Sequence, residues 1–530
     1  MQGSKRAEEP TFYCFRMHEL VPDGHILKLV DKHVDFTFVK EKTAHLYSEI
    51  GRPSIDTIMM VKMLLVGYLF GITSERRLCE EVGMHVGYRW FVGLNMEDKV
   101  PDHSTFSKNR HGRFNESSIW EEIFDEVVRR CMAAGLVSGK NLSADGTYVE
   151  ADASMDSMEP IVVDTTPKEY LKRIARDDSG PDKPPPEKEE EKKKLSNDTH
   201  RSCTDPDARL GKKTGSPYGL YHEVNYVMDN ANGVILNAQV GPPGPNTEMK
   251  QALDGLDRAK WHFGCPVKTL GLDAGFRDAD FLADVLERGV KPHVPMRDML
   301  HLNAELRGVF SRDMFTYDAA NDCYICPQGK AMKYRGLSGR QRAYRASQKD
   351  CGSCSMKTAC TRDKSRTVSI HVNNDALELA KRLTGTSAQR ISQKCRKRIE
   401  ALFGEAKEQM GLRRMKFRGR GTVAEQVWLT ATVQNIKRLV KYLERLAPQP
   451  AASNKVAFQK SVNAVFEAFL RLKNLIPAIM CTPSSVSVCQ SSSPLSSSLA
   501  VRPYFSTASS AGMTVVGWFC IVFCMRLLTK

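Results

Sequence analysis

One segment restricts the possible folds more than any other: two short apolar runs flank a single amphipathic helix. The runs are 267–272 and 290–294. The helix between them has its large apolar side chains on one side: Phe281, Leu282, Val285 and Leu286. This pattern predicts a β-α-β unit, with Asp273 directly after the first strand. Because α/β sheets bind ligands at the carboxyl ends of their strands, the unit also makes Asp273 a candidate site residue.

Two other stretches extend the α/β pattern. Residues 142–149 predict a strand that contains Asp145. Residues 218–227 and 234–240 are rich in β-forming residues and flank a polar Asp-Asn-Ala-Asn-Gly turn, so they predict a β-hairpin. A mixed α/β core is therefore expected from about residue 141 onward.

The first 140 residues are predicted to be helical. Ser54 is expected to cap a helix whose residues 58–66 are apolar almost all the way round, which indicates a buried helix. Gly71 is expected to end it, Ser74 to cap a second helix, and a third to start near Asp102. Helices, a short turn and basic residues fit a helix-turn-helix DNA-binding unit and an ordinary helical bundle alike.

A long helix is predicted from Ser387 to Met410. Its apolar residues recur every three or four positions and form a core-facing stripe: Cys395, Ile399, Leu402, Ala406 and Met410. A second, charged stripe runs beside it through Arg396, Glu400 and Lys407. Taken alone, this stripe fits a surface ion pair worth a few tenths of a kcal/mol.

Three acidic residues on separate predicted elements suggest a different role for that stripe. Two-metal phosphodiester chemistry requires carboxylates from separate elements to converge, and Asp145, Asp273 and Glu400 supply such a set. Their oxygen atoms suit Mg²⁺ or Mn²⁺. Arg396 and Lys407 are then expected to hold phosphate groups.

The charge balance fits a polyanionic partner. The chain has 77 basic and 62 acidic residues, a formal net charge of +15. Binding to nucleic acid would release condensed counterions, although such an excess also favours solubility. A basic run directly follows the long helix and is expected to contact the DNA backbone: Arg413, Arg414, Lys416, Arg418 and Arg420.

Fifteen cysteines occur in a chain whose polar N-terminus predicts no signal peptide, so reduced or metal-bound thiols are expected. Cys326, Cys351, Cys354 and Cys360 have the spacing of a four-thiolate structural Zn²⁺ site, with Cys323 as an ambiguous fifth cysteine. Inert reduced thiols are the alternative.

Several motifs resemble those of bacterial insertion-sequence transposases of the Asp-Asp-Glu class. Asp145-Gly146-Thr147 resembles the first motif and Leu272-Asp273-Ala274-Gly275-Phe276 the second. Arg396, Glu400 and Lys407 match most of the third, a Tyr-Arg-Glu-Lys signature. That signature normally begins with a tyrosine three positions before the arginine, where this chain has Gln393.

The resemblance implies a fold and a reaction. The expected fold is α/β, a ribonuclease-H-like core with an all-helical N-terminal domain and a small Cys-rich insertion. Asp145, Asp273 and Glu400 would bind two Mg²⁺ ions for cleavage of transposon ends and strand transfer into target DNA. A homo-oligomeric synaptic complex would hold the terminal repeats. A catalytically inactive DNA-binding relative and a nuclease or resolvase without strand transfer are the alternatives.

The expected domain order completes these predictions. The ranges are a helical DNA-binding domain at 12–140, the first part of the core at 141–154 and 208–300, a disordered charged insertion at 155–207, a zinc-ribbon-like insertion at 301–385, the C-terminal part of the core at 386–475, and a Ser-rich tail at 476–530. The apolar segment Met513 to Leu528 fits a short anchor, a packed terminus or unselected sequence, and no membrane partner is expected. We expect a cytoplasmic, nucleoid-associated protein.

Overall fold

The structure is a computed structural model of the 530-residue chain. It describes residues 16–48, 50, 54–114, 117–161, 195–212, 217–296 and 306–447. The Pro-Glu-Lys run at 183–194 and the tail at 476–530, with its apolar segment, lie outside these residues. Among the helices that are described, none combines the length and apolarity needed to cross a membrane.

The N-terminal region is helical, as the sequence predicts. The α-helices among its described residues are α1 (Met17–Leu20), α2 (Ile26–His33), α3 (Thr37–Thr43), α4 (Thr57–Leu69), α5 (Glu75–Met84), α6 (Val86–Val92), α7 (Ser104–His111) and α8 (Ile119–Ala133). Helix α4 is buried along most of its length, because nearly all of its side chains are apolar.

The helix caps agree with the sequence at one position and differ at another. Ser74 caps α5 by accepting a hydrogen bond from the Arg77 backbone N–H, as expected. The predicted cap of α4 is wrong: Asp56, not Ser54, accepts from the N–H groups of Ile58 and Met59. Asp56 directly precedes the first helical residue, whereas Ser54 lies too far from these N–H groups.

A six-stranded sheet forms the centre of the molecule. Its strands are β1 (Asn141–Glu150), β4 (Arg209–Gly211), β5 (Gly219–Asp229), β6 (Ile235–Gly241), β7 (Thr269–Gly271) and β8 (Lys291–His293). The path is β4-β5-β1-β7-β8, and β6 pairs with β5. Strand β5 runs antiparallel to its neighbours β4, β6 and β1. Strand β7 runs parallel to β1, and β8 runs parallel to β7. The predicted hairpin and the β-α-β unit are both confirmed.

Helices cover the sheet. They are α9 (Pro245–Asp257), α10 (Ala279–Glu287), α13 (Asn374–Leu383), α14 (Ser387–Gln409) and α15 (Arg420–Leu446). Helix α14 lies across the face of β1 that carries Asp145, where its Phe403 stacks on Tyr226 of β5. Helix α9 packs on the other face, where its Glu248 lies against Gly146. Four residues of the apolar stripe predicted for α14 are buried, namely Ile399, Leu402, Ala406 and Met410, whereas Cys395 is only half-buried.

The prediction of disorder at 155–207 is wrong for the parts of this range that the structure describes at each end. Strand β2 (Met158–Pro160) pairs with β3 (His200–Ser202) in an antiparallel ribbon. The ribbon begins beside a small apolar cluster that includes Ala151, Ala208 and Leu210. Met155 and Met158 pack against this cluster, so apolar contacts accompany the ordered ends of the charged segment.

The Cys-rich insertion contains its own five-stranded antiparallel sheet. Its strands are β9 (Thr316–Asp318), β10 (Cys323–Ile325), β11 (Ala331–Ser338), β12 (Gln341–Arg345) and β13 (Thr367–His371), and its short helices are α11 (Gln348–Gly352) and α12 (Lys357–Cys360). A separate small core around Met332, Tyr344 and Val368 stabilises it.

Candidate active site

The parallel pairing of β1 and β7 places Asp145 and Asp273 at equivalent positions. The last paired residues are Ser143 on β1 and Gly271 on β7, and each aspartate lies two residues beyond its strand's last pair. Both carboxylates therefore belong to the same edge of the sheet, where the β7 ladder ends. The Asp273 side chain also accepts a hydrogen bond from the Gly275 backbone N–H at 2.7 Å, which supports the turn after β7.

Helix α14 crosses this edge at close range. A Cβ atom on Gly271 would lie 2.6 Å from the Ser392 hydroxyl oxygen and 2.9 Å from that of Ser143, so a larger residue here would require these hydroxyl groups to move. The side-chain amide of Gln393 donates to the carbonyl oxygens of Leu272 and His293, which lie at the ends of β7 and β8. These contacts position the next two turns of α14 over the aspartates.

Arg396 joins the helix to β1 and links two of the three predicted catalytic carboxylates. Its Nη1 atom donates to Asp145 Oδ2 at 2.7 Å, and its Nη2 atom donates to Glu400 Oε1 at 3.3 Å. The side chains of Arg396 and Asp145 are each 15% exposed, whereas that of Glu400 is 59% exposed. We define Asp145, Arg396 and Glu400 as the edge cluster. It remains accessible from solvent through Glu400.

Lys407 is two turns beyond Glu400 and holds β1 from the same side. Its Nζ atom donates to Thr147 Oγ1 at 2.7 Å and to the Tyr148 carbonyl oxygen at 3.0 Å. Arg396 and Lys407 of the charged stripe therefore bond to β1, whereas Glu400 between them is largely exposed. In this structure Arg396 and Lys407, both predicted to hold phosphates, bond to protein groups beside the carboxylates.

The basic segment after α14 runs beside the end of β1. Glu150 donates its N–H to the Arg413 carbonyl and accepts from the Met415 N–H with its own carbonyl. Asp152 pairs with Arg414 and Arg418 at 3.1 and 3.0 Å. The side chains of Arg413, Arg414 and Arg418 are more than half exposed, which leaves them accessible to a partner.

Lys416 belongs to the same basic segment but has a different environment. Its Nζ atom lies 4.5 Å from the centroid of the Tyr68 ring on α4, within a cavity of about 220 Å³ between the N-terminal helices and the basic segment. Burial lowers the pKa of Lys416 to about 8. An ammonium group in this cavity is poorly placed to contact DNA phosphates, unlike the three neighbouring arginines.

The four predicted zinc-binding cysteines are neighbours in the insertion. Burial raises the pKa of the Cys360 thiol; Arg366 lowers it, and the thiols of Cys351, Cys326 and Cys354 raise it further. Cys323 is buried in β10. Within the part of the chain that the structure describes, no three histidine, cysteine, aspartate or glutamate side chains are gathered closely enough to hold a metal ion.

Two parts of this site were not apparent from the sequence. The link from Gln393 to Leu272 and His293 spans 121 and 100 residues, and no local pattern indicates it. The pairing of Asp152 with two arginines follows from the position of the basic segment beside β1. The sequence indicates Asp152 as a further carboxylate near the first motif, with a structural role expected, but it does not indicate the partners of Asp152.

Comparison with protein families identifies two regions of the chain. Residues 15–112 match the family described as Transposase domain (DUF772), and residues 325–440 match the family described as Transposase DDE domain. The chain is a transposase. The DDE match includes Glu400, Arg396 and Lys407 but begins after Asp145 and Asp273. A search of curated proteins found no match.

Two solved structures show weak similarity to the transposase. One is described as a cryo-EM structure of the piggyBac transposase synaptic complex with hairpin DNA; it shares 10% identity over 82% of this chain and 84% of that chain, with a TM-score of 0.29. The other is described as the Mos1 transposase paired-end complex with left transposon end; it shares 10% identity over 46% of this chain and 61% of that chain, with a TM-score of 0.14. These TM-scores are too low to support a structural inference.

Proposed function

We propose that the transposase uses Asp145, Asp273 and Glu400 for metal-dependent cleavage of transposon ends and strand transfer into target DNA. One observation carries the proposal. Asp145 and Asp273 occupy equivalent positions at one edge of the sheet, and Arg396 of α14 connects Asp145 to Glu400. Three carboxylates from separate elements are the set that two-metal phosphodiester chemistry requires.

The sheet supports the proposal of a ribonuclease-H-like core. Three antiparallel strands, β6, β5 and β1, are followed by the parallel strands β7 and β8, and a helix crosses the edge where β1 and β7 diverge. We propose the domain division expected from the sequence: 12–140, 141–154 with 208–300, 301–385 and 386–475. Only the ordered ends of the range 155–207 depart from it.

The residues at the edge fit a divalent cation by the chemistry of their donor atoms. Asp145, Asp273 and Glu400 offer carboxylate oxygens, the ligands that Mg²⁺ and Mn²⁺ prefer. The Arg396 guanidinium already lies between two of these carboxylates, so this position accommodates positive charge. Bound there, Mg²⁺ would lower the pKa of a coordinated water and stabilise charge on the leaving oxygen.

The remaining residues of the site would bind and orient the DNA. Arg396 and Lys407 lie beside the carboxylates and can exchange their present protein partners for phosphate oxygens. The exposed Arg413, Arg414 and Arg418 extend this positive surface along the end of β1. In this proposal Lys416 does not contact DNA, because it lies in the cavity against Tyr68.

The reaction also implies partners and a location. Two DNA ends must be handled together, so we propose that an oligomer binds the terminal repeats of an insertion-sequence element and the target DNA. Binding to chromosomal DNA would associate the protein with the nucleoid. These proposals rest on the reaction rather than on a contact between subunits.

Cleavage and strand transfer on DNA carrying the element's own flanking ends would test the proposal. In Mg²⁺, we expect Glu400→Gln to lose at least about a hundredfold in rate while retaining DNA binding. Glu408→Gln is the matched control: Glu408 is two turns further along α14 and 61% exposed, and it pairs with Arg413 rather than with the edge cluster. DNA binding without cleavage by the unaltered protein would favour the inactive relative instead.

We further propose that Cys326, Cys351, Cys354 and Cys360 form a structural zinc site in the insertion. The Cys351-Gly-Ser-Cys354 spacing supports this, and Cys326, Cys351 and Cys360 pack against one small core. A four-thiolate site leaves no open position for catalysis. We expect about one equivalent of zinc in the purified protein, lost in Cys354→Ser but retained in Cys395→Ser, which alters a cysteine of α14. Absence of zinc in the unaltered protein would favour inert thiols.

A further inference from the structure

Gln393 stands where the related signature has a tyrosine, and it has well-defined partners. Its Nε2 atom donates to the Leu272 carbonyl oxygen at 2.9 Å and to the His293 carbonyl oxygen at 2.6 Å. The same His293 oxygen accepts the Leu272 N–H at 3.2 Å. One side-chain amide thus joins α14 to the ends of both β7 and β8.

The first of these bonds affects Asp273 directly. The Leu272 carbonyl belongs to the peptide group that joins Leu272 to Asp273. Because this group is planar, a hydrogen bond to its carbonyl oxygen also fixes the orientation of the Asp273 backbone N–H. Asp273 is also constrained on its other side, where its carboxylate accepts from the Gly275 N–H. The orientation of Asp273 therefore depends on Gln393 and on the turn that follows β7.

The same residue also determines where α14 lies. Ser392 packs closely against Gly271, and Gln393 supplies the polar contact beside it. Glu400 follows seven residues later on the same helix, about 10 Å along its axis. A shift or rotation of α14 at Gln393 would therefore move Glu400 relative to both aspartates.

We propose that Gln393 is a positioning residue that sets the placement of Asp273 relative to Glu400. The inference rests on the proposed function of these carboxylates. A primary amide has two N–H donors, one for each carbonyl. A tyrosine hydroxyl has one donor on a much larger ring, so it cannot make both bonds from this position. Glutamine is accordingly an adaptation to this site, and restoring tyrosine should impair it.

Binding of Mn²⁺ to the full-length protein, measured by calorimetry in the absence of DNA, would test the inference. We expect Gln393→Ala and Gln393→Tyr to raise the Kd for Mn²⁺ by about tenfold to a hundredfold, the range found when groups that orient metal ligands are removed. Gln389→Ala is the matched control. Gln389 is one turn earlier on α14 and buried, but its amide oxygen accepts from the Gly385 N–H rather than contacting a strand.

Thermal unfolding of each variant separates positioning from general stability. A merely structural role would lower the melting temperature and leave the Kd of the folded protein unchanged. Unchanged affinity in both Gln393 variants, or tighter binding by Gln393→Tyr, would overturn the inference alone. Mn²⁺ binding that Glu400→Gln does not weaken would overturn the proposed function and this inference with it.

Discussion

Two groups of charged side chains in this transposase share one composition, an arginine between two carboxylates. In the edge cluster, Arg396 contacts Asp145 and Glu400. In the second group Arg110 of α7 contacts Glu425 of α15, with Nε–Oε2 and Nη2–Oε1 distances of 2.9 and 3.0 Å, and Glu75 of α5. We call Glu75, Arg110 and Glu425 the buried cluster.

The two clusters differ in their access to solvent. Glu425 is 3% exposed, whereas Glu400 is 59% exposed. The buried cluster joins the N-terminal helices to α15, and the Arg110 guanidinium lies 3.9 Å from the Phe417 ring centroid. The edge cluster lies where the pairing of β1 with β7 ends, and Asp273 follows β7 at the position equivalent to Asp145. The buried cluster therefore holds the N-terminal helices against α15. The edge cluster has the same composition, but its exposure to solvent allows its charged groups to exchange partners.

Removing one carboxylate from the buried cluster should have the largest effect on stability. We expect Glu425→Ala to lower the free energy of unfolding by about 3–5 kcal/mol, because Arg110 would lose its bidentate partner inside the protein. Urea denaturation followed by tryptophan fluorescence would measure the change. The matched variant in the edge cluster is Glu400→Gln, for which we expect less than about 1 kcal/mol, because Glu400 is largely solvated. Equal losses in both variants would contradict the distinction.

Lys416 lies beside the buried cluster and should make stability depend on pH. Its pKa falls from 10.5 to about 8 because of burial, while Glu75 and Glu425 oppose that effect and Arg110 adds to it. Between pH 8 and 10.5 the unfolded chain binds more protons at this residue, so the contribution of Lys416 to stability rises with pH. Below pH 8 the cost of burying the ammonium group is fully present.

Lys416→Met removes that cost. We expect the variant to be more stable than the unaltered protein by about 1–3 kcal/mol at pH 7, with the difference shrinking as the pH approaches 10. Melting temperatures across this range would measure it. DNA affinity should change little, whereas Arg414→Gln should weaken it. A large loss of DNA affinity in Lys416→Met would show that this lysine leaves the cavity to contact DNA.

Removing the arginine of the edge cluster should strengthen metal binding, whereas the Gln393 substitutions should weaken it. Arg396 lies 2.7 Å from Asp145 and repels other cations at that carboxylate. We expect Arg396→Met to bind Mn²⁺ about threefold to tenfold more tightly in the absence of DNA. Arg390→Met is the control, because Arg390 bonds to the Gly385 carbonyl. Weaker binding by Arg396→Met would mean that the arginine organises the carboxylates rather than competing with a metal.

The elements that carry the edge cluster follow from local sequence pattern. Alternation and apolar runs predicted β1, β7 and β8, and the apolar spacing around Ile399 predicted α14 and its buried face. These predictions are correct because each helix or strand must bury one apolar face, and this burial determines the spacing of its apolar residues. The same reasoning placed charged residues of α14 on a second face, which lies toward the sheet edge.

The remaining features depend on contacts between distant segments. The partners of Gln393 are backbone carbonyls, which carry no side-chain signal in the sequence. Lys416 looks like its exposed basic neighbours, and only the packing of Tyr68 against the basic segment distinguishes it. The apolar cluster beside the ends of the charged insertion combines Ala151 with Ala208 and Leu210, which are far from Ala151 in the sequence.

Cleavage of the protein backbone by bound Fe²⁺ would test most directly whether the three carboxylates form one metal site. Fe²⁺ in place of Mg²⁺, with ascorbate and peroxide, generates radicals that cut the chain near the ion. If the three carboxylates form one site, we expect three cuts, near Asp145, Asp273 and Glu400, all suppressed by excess Mg²⁺ and by Glu400→Gln. Cuts near only one of these residues, or cuts unaffected by Glu400→Gln, would contradict a shared site.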